Sequence, residues 1–275
     1  MRGPGGRACS GSPDTTPEAS VPAPGRRAEA WPVRWLRYLY RVPLLVWHLV
    51  IDLPIALLWM LGGERTKQRA VRWWSAWLMR IFGFRLRRRG LPLEGAVMFV
   101  ANHVSWVDIV ILHSQKMMGF VAKKEIEGWP LVGWMAARAE TIFHTRGNSE
   151  SLGGVMHEML ARLHGGRAVA VFPEGRTRPG DEVGPFHARI FTPAVEAGVP
   201  VQPVALRYGE RGNAQSLVAF RGNEGFLGNF LRLLGEPPRL AEAWFLDPIA
   251  PGSEQGRRRL AELARERIVA AMEAA

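Results

Sequence analysis

Apolar residues change their spacing several times along this 275-residue chain, and each change predicts a different kind of structure. Residues 1–30 hold no apolar run and consist mostly of Gly, Pro, Ala, Ser and Arg. Such a stretch buries too little surface to order itself and is expected to be a disordered tail; it also lacks the apolar core of a secretory signal. From Val42 to Leu61 the chain is apolar for nearly the length of a bilayer span, but the run carries Pro43, His48, Asp52 and Pro54. From Val71 to Phe84, Trp74, Leu78, Ile81 and Phe82 recur at helical spacing. After Arg85 short apolar runs at 96–101, 118–122, 141–143, 168–172 and 200–206 alternate with helix-like segments near 105–117, 130–138, 149–164 and 190–197. That alternation predicts an α/β fold with a mainly parallel sheet flanked by helices. A last amphipathic helix carries Leu260, Leu263, Ile268 and Met272, with Ser253 as its expected N-cap. The predicted regions are a tail at 1–30, membrane-attachment helices at 31–84 and an α/β domain at 85–275.

Charge and aromatic content narrow the partners. A net charge of +11 and a pI near 11.0 imply an anionic partner, either nucleic acid or an anionic membrane surface. Seven of the eleven tryptophans, Trp31, Trp35, Trp47, Trp59, Trp73, Trp74 and Trp77, crowd before the α/β region among arginines. Indoles prefer the headgroup interface, so the membrane is expected and nucleic acid is not. Basic residues flank the Val42–Leu61 run on both sides: Arg34, Arg37 and Arg41 before it, Arg65, Lys67, Arg69 and Arg72 after it. A single span concentrates them on one side, so the symmetry predicts an N-terminal membrane-associated helical hairpin on the cytoplasmic face, with a true span as the rival. Cys9 is the only cysteine, which excludes a disulfide framework and a thiolate metal site.

Two strand ends carry chemistry. The run Ala96–Ala101 ends in Asn102-His103-Val104-Ser105-Trp106-Val107-Asp108. His103 and Asp108 are five residues apart, which in an unbroken helix separates their directions by roughly 140°, so they meet only across a turn. Ser105 supplies a place for it. A strand-end histidine with an orienting carboxylate is a base and its partner. The run Ala168–Phe172 ends in Pro173-Glu174-Gly175-Arg176-Thr177-Arg178-Pro179-Gly180. Turn-forming residues, one carboxylate and two guanidinium groups describe an anion-binding loop.

Together with Val199-Pro200-Val201-Gln202-Pro203-Val204, these motifs resemble the lysophospholipid acyltransferase family, best known for its 1-acylglycerol-3-phosphate acyltransferases, over about residues 85–210. The resemblance implies that His103 removes the proton from an acceptor hydroxyl that attacks an acyl thioester. Asp108 would fix the imidazole tautomer, with no acyl-enzyme needed. It implies a phosphate-binding role for the second loop. The family usually has Phe-Pro-Glu-Gly-Thr-Arg-Ser there, whereas this chain has Arg176-Thr177 and then Arg178, so either guanidinium is a candidate. Glu174 and Gly175 match directly. Arg146, after Thr141–Thr145, resembles a further phosphate contact, and Lys123 and Lys124, where the family often has lysine, serve acceptor binding, carrier docking or plain solubility. Val199, Pro200, Val201 and Pro203 match the motif that shapes the family's acyl pocket. The implied co-substrates are acyl-CoA or acyl carrier protein and a lysophospholipid. The reaction would acylate the sn-2 hydroxyl of 1-acylglycerol-3-phosphate to give phosphatidic acid.

Three other readings bear on this one. His113 follows Asp108 by five residues, but His103, Asp108 and His113 share no helical face, so neither a metal nor another cofactor is expected. The same chemistry fits another lysolipid, for example a lyso-ornithine lipid. A non-enzymatic basic lipid- or nucleic-acid-binding protein would need the arginines but not the paired His and Asp. The chain has no Gly-x-Ser-x-Gly elbow and no Gly-x-x-x-x-Gly-Lys loop.

Overall fold

A computed structural model describes residues 31–145, 149–180, 182–254 and 256–274; the expected tail, Cys9 and Arg146 lie outside them. Helix α1 (Trp31–Trp47) passes through a π-helical turn (His48–Asp52) into α2 (Leu53–Met60), and α3 (Glu64–Ile81) folds back along α2. The widened turn directly precedes Pro54, whose ring and missing N–H disrupt a regular helical ladder. His48 and Asp52, the polar interruptions of the apolar run, pair with each other at 2.8 Å. The buried His48 ring stacks on Trp74 of α3 at 4.9 Å, and its Nε2 lies 3.1 Å from the Trp74 carbonyl. The helix therefore turns its polar side to the protein and leaves Leu44, Trp47, Val50, Leu58 and Trp59 exposed.

The rest of the chain runs through β1 (Phe84–Arg89), β2 (Met98–Ala101), α4 (Val107–Gln115), β3 (Gly119–Lys123), α5 (Val132–Arg138), β4 (Ile142–His144), α6 (Ser149–His164) and β5 (Val169–Val171). It continues with α7 (Thr192–Ala197), β6 (Val201–Tyr208), α8 (Gln215–Val218), α9 (Phe226–Gly235), β7 (Arg239–Phe245) and α10 (Gly256–Glu273). The strands form one seven-stranded sheet in the order β1-β7-β6-β2-β5-β3-β4. All neighbours are parallel except β6 and β7, so the sheet is mainly parallel with a reversed pair at one edge.

Every residue of β2 is buried, as expected for a strand covered on both faces. Phe99 and Ala101 join the core under α3, α4 and α9, while Met98 and Val100 join the core under α6, α7 and α10. The apolar face of α3 predicted from Trp74, Leu78 and Ile81 packs on α4 and α2. Two of the flanking arginines are likewise internal. Arg41 donates to the carbonyls of Leu234 (2.8 Å) and Glu236 (2.7 Å), and Arg37 to that of Gly235 (3.1 Å). They satisfy carbonyls left open at the end of α9, where the helix dipole favours a cation. Ser253 is not the cap of α10: its hydroxyl closes a turn onto the Ala250 carbonyl, and the helix starts at Gly256.

Candidate active site

Five parallel strands point their carboxyl ends to one edge of the sheet, which is where an open α/β sheet binds ligands. β2 delivers His103 there, β5 delivers the Pro173–Gly180 loop, β3 delivers Lys123, and β6 ends in Tyr208. Since β2 and β5 are neighbours, their two loops meet directly.

The chain turns between Ala101 and α4 as the five-residue spacing requires. Asp108, in the first turn of α4, is fully buried, and its Oδ2 lies 2.7 Å from His103 Nδ1. The same oxygen accepts the backbone N–H groups of Val104 (2.7 Å) and Ser105 (2.9 Å). The Tyr208 hydroxyl donates to Asp108 Oδ1 in a short contact. Burial and the facing carboxylate push the Tyr208 pKa well above its usual range, so the phenol keeps its proton. With Asp108 accepting throughout, His103 carries its proton on Nδ1 and offers the Nε2 lone pair. Nε2 has no hydrogen-bond partner among the described residues, and the side chain is 15% exposed. The imidazole is fixed from one side by Phe172, stacked 3.9 Å away at 12°.

Around this pair the backbone is stitched to the sheet. Asn102 Nδ2 donates to the Leu206 carbonyl (3.0 Å) and its Oδ1 accepts the Leu206 N–H (2.8 Å). Gln215 accepts the Tyr208 N–H at 2.7 Å. Ser105 Oγ accepts the Val107 N–H at 3.2 Å within the turn, but the N-cap position of α4 falls on Trp106, which makes no side-chain capping bond, so Ser105 is not the N-cap expected.

Glu174 is a buried bracket between the two loops. Its Oε1 accepts the His103 N–H and its Oε2 the Gly184 N–H, each at 2.9 Å. Burial pushes its carboxyl pKa up, against the downward pull of Gly184, His103 and the Arg178 guanidinium. Arg178 lies back on this carboxylate, Nε to Oε2 2.9 Å, while its own N–H donates to the His103 carbonyl. The two guanidinium groups of the loop thus differ: Arg178 is engaged inside the loop, whereas Arg176 is exposed and makes no ion pair or hydrogen bond among the described residues. Gly175 takes a left-handed φ of 71°, which lets the loop reverse beside His187. Thr177 is half-buried in the same loop.

A family model described as Acyltransferase matches residues 77–207, the segment from α3 to the end of β6. The lyso-ornithine lipid O-acyltransferase of Pseudomonas aeruginosa is 39% identical over 201 residues, covering 73% of this chain and 76% of that protein. The chain belongs to the acyltransferase family. The lyso-ornithine lipid O-acyltransferase of Brucella abortus is 32% identical over 237 residues, 81% of this chain and 89% of the relative. The 1-acyl-sn-glycerol-3-phosphate acyltransferase of Neisseria meningitidis is 39% identical over 126 residues, 46% of this chain and 49% of the relative. The fold matches the crystal structure of the 1-acyl-sn-glycerophosphate acyltransferase PlsC of Thermotoga maritima with a TM-score of 0.69. That match has 21% identity and covers 87% of this chain and 95% of that one.

Other expected site residues of this acyltransferase fall in different places. Lys123 and Lys124 are exposed at the end of β3, on the active edge, and Lys124 forms an ion pair with Glu127. Val199 and Pro200 precede β6, and Val201 pairs with Met98, at the opposite end of the strands from His103. Val201 and the half-buried Val199 pack in the core with α7, and Pro203 is buried beside Val100. The structure therefore does not bring these four to the histidine. His113 is buried against Phe120, ring centroids 4.9 Å apart, with its pKa lowered by burial to about 4.

Two features of the site are not marked by spacing. Tyr208 lies just past the last apolar run, where a tyrosine at a strand end has no distinguishing pattern. Trp106 joins Phe82, Phe226 and Phe230 in an aromatic wall three residues from His103, and Trp129 leans on Phe226 at 5.2 Å. Only the interior position of Trp106 in the motif hinted at it.

Proposed function

We propose that this acyltransferase moves a fatty acyl group from a thioester, carried by coenzyme A or acyl carrier protein, to the hydroxyl of a lysolipid, with lyso-ornithine lipid as the acceptor. The observation that carries the reaction class is the His103, Asp108 and Tyr208 arrangement at the carboxyl ends of β2 and β6. His103 Nε2 takes the acceptor's hydroxyl proton while that oxygen attacks the thioester carbonyl. Asp108 stabilises the imidazolium that forms. Collapse of the tetrahedral intermediate breaks the carbon–sulfur bond, and His103 returns the proton to the departing sulfur. A thioester is already activated, so alignment and base catalysis suffice.

Arg176 is the loop guanidinium free to meet the acceptor's headgroup, with Lys123 as a further cation on that edge. Glu174, Gly175, Thr177 and Arg178 shape the loop. Trp106, Trp129 and Phe226 provide the apolar wall for an acyl chain. The exposed apolar side of α1 and α2 seats the enzyme in the membrane at its cytoplasmic face. The helix Pro32–Met60 is long and apolar enough to cross a membrane, by length and composition. Its internal pairing with α3 and α9 supports the in-plane hairpin.

The acceptor assignment is supported by relatives named for lyso-ornithine lipid that align over 73% and 81% of the chain. An ornithine headgroup brings a single carboxylate, which suits one unengaged guanidinium in the loop. The second reading, 1-acylglycerol-3-phosphate acylated at its sn-2 hydroxyl, draws support from the 126 residues that align with the Neisseria enzyme at 39% identity. Purified protein in detergent, given a panel of lysolipids against both donors, tests this directly. Acylation of lyso-ornithine lipid is expected. Turnover of 1-acylglycerol-3-phosphate alone would establish the second reading, and no transfer to any acceptor would refute both. Arg176→Ala should raise the acceptor's KM and leave the donor's nearly unchanged; an unaltered acceptor KM contradicts the headgroup assignment.

A further inference from the structure

Where α1 meets the start of β1, the surface folds into a cavity of about 290 Å³ on the same edge of the sheet as His103 but three strands to the side, with β7 and β6 between β1 and β2. Its lining combines apolar groups, Tyr40, Leu44 and Ile81, with the guanidinium groups of Arg41, Arg80 and Arg85, and no carboxylate is among its described lining residues. Arg41 is consumed by the α9 carbonyls. The other two guanidinium groups have no counter-ion among the described residues. Among the described residues Arg80 rests only on the Trp77 ring, 5.1 Å from its centroid, and Arg85, which is exposed, makes no ion pair or hydrogen bond. Tyr40 and Leu44 are 47% and 49% exposed and continue into the apolar face that α1 and α2 present outward.

A ligand that satisfies both halves of this cavity must be anionic at its head and apolar beyond it. Free phosphate would use the arginines and gain nothing from Leu44 or Tyr40. We propose that the cavity is a headgroup site for an anionic phospholipid of the host bilayer, distinct from the acyl-transfer site and not a substrate site. Arg80 and Arg85 hold the phosphodiester through charge-assisted contacts, and its acyl chains lie against α1. Trp77, 45% exposed beside Arg80, supplies an indole at headgroup depth. The site rests on the reading that α1 and α2 sit in the membrane, and it adds a preference for lipid charge that an apolar seat lacks.

The test is sedimentation of the full-length protein with two kinds of vesicle, phosphatidylcholine alone and phosphatidylcholine with phosphatidylglycerol. The wild type should bind both and prefer the anionic ones. Each arginine near an anionic surface is worth about fivefold in partitioning, so Arg80→Gln with Arg85→Gln should lose about 25-fold on anionic vesicles and little on neutral ones. The control is Arg257→Gln with Arg258→Gln, the same charge change on exposed residues at the start of α10. It should bind nearly as the wild type does, and inorganic phosphate at matched ionic strength should not displace the protein. Equal loss in the control would reduce the effect to general attraction and overturn the site. Binding to neutral vesicles without any anionic preference would overturn the site and leave the membrane seat standing. Failure of the wild type to bind either vesicle would overturn both. Circular dichroism of each variant establishes that it is folded.

Discussion

A carboxylate with no access to water needs hydrogen-bond donors on both oxygens, and Asp108 obtains them from His103 and two backbone N–H groups on Oδ2 and from Tyr208 on Oδ1. Tyr208 is thus a positioning residue that acts through Asp108 on the imidazole. Tyr208→Phe leaves one buried oxygen bare and should cost about 1–3 kcal/mol of stability. It should lower kcat by about tenfold, the equivalent of about 1.4 kcal/mol at the transition state, with the acceptor's KM little changed. Steady-state kinetics separates these quantities, and an unchanged kcat contradicts the role. His113 supplies a second residue-scale prediction. Its folded pKa of about 4 lies below the unfolded value of 6.5, so between these pH values the unfolded chain binds more protons. Stability contributed by the neutral buried ring is present above pH 6.5 and is lost as pH falls toward 4, by up to about 3 kcal/mol. Chemical unfolding at a series of pH values should show this slope, and His113→Leu should flatten it. A slope unchanged in the variant would assign the acid sensitivity elsewhere.

Helix α1 is tied to the protein by arginines rather than by its apolar residues alone. Arg41→Met should cost about 1.5–3 kcal/mol in unfolding free energy because buried carbonyls at the end of α9 lose a charged donor. Arg65→Met, at an exposed position of α3, should change stability little. Equal effects in the two variants would contradict the capping account. The same ties explain why the helical region was only partly legible. An apolar run bordered by arginines signals a membrane helix, but the sequence does not distinguish an arginine aimed at lipid from one aimed at a carbonyl 193 residues later. His48 and Asp52 likewise look like defects in the run until α3 is beside them. Strand β1 was hidden for a related reason. Phe-Arg-Leu-Arg-Arg-Arg has only Phe84 fully buried, since an edge strand keeps its other face in water, and charge masks the alternation. β7 carries Glu242 and Trp244 through a buried stretch and shows no continuous apolar run.

At the scale of the molecule, the parallel strands do the assembly. Strands in one direction end at one edge, so two loops seventy residues apart in sequence become neighbours without any long-range signal beyond the order of the strands. This is why the histidine, its aspartate and the glutamate loop were legible: each follows a short apolar run directly, and the sheet fixes the rest. Tyr208 and the aromatic wall at Trp106 were not, because their roles arise only when β6 and α9 fold over β2. The division of labour between Arg176 and Arg178 needed Glu174 to be seen between the loops. The net charge of +11 also overstated the cationic surface, since Arg37, Arg41, Arg162, Arg207, Arg232 and Arg239 are buried.

The central claim is that His103 is the base in acyl transfer to a lysolipid hydroxyl. The most direct measurement is the turnover of folded His103→Ala, assayed with the acyl thioester and the lysolipid that the wild type uses. General-base catalysis contributes about 10²–10⁴-fold, so kcat should fall by at least about a hundredfold while the unfolding midpoint stays near that of the wild type. A folded variant that retains near-normal turnover contradicts the mechanism.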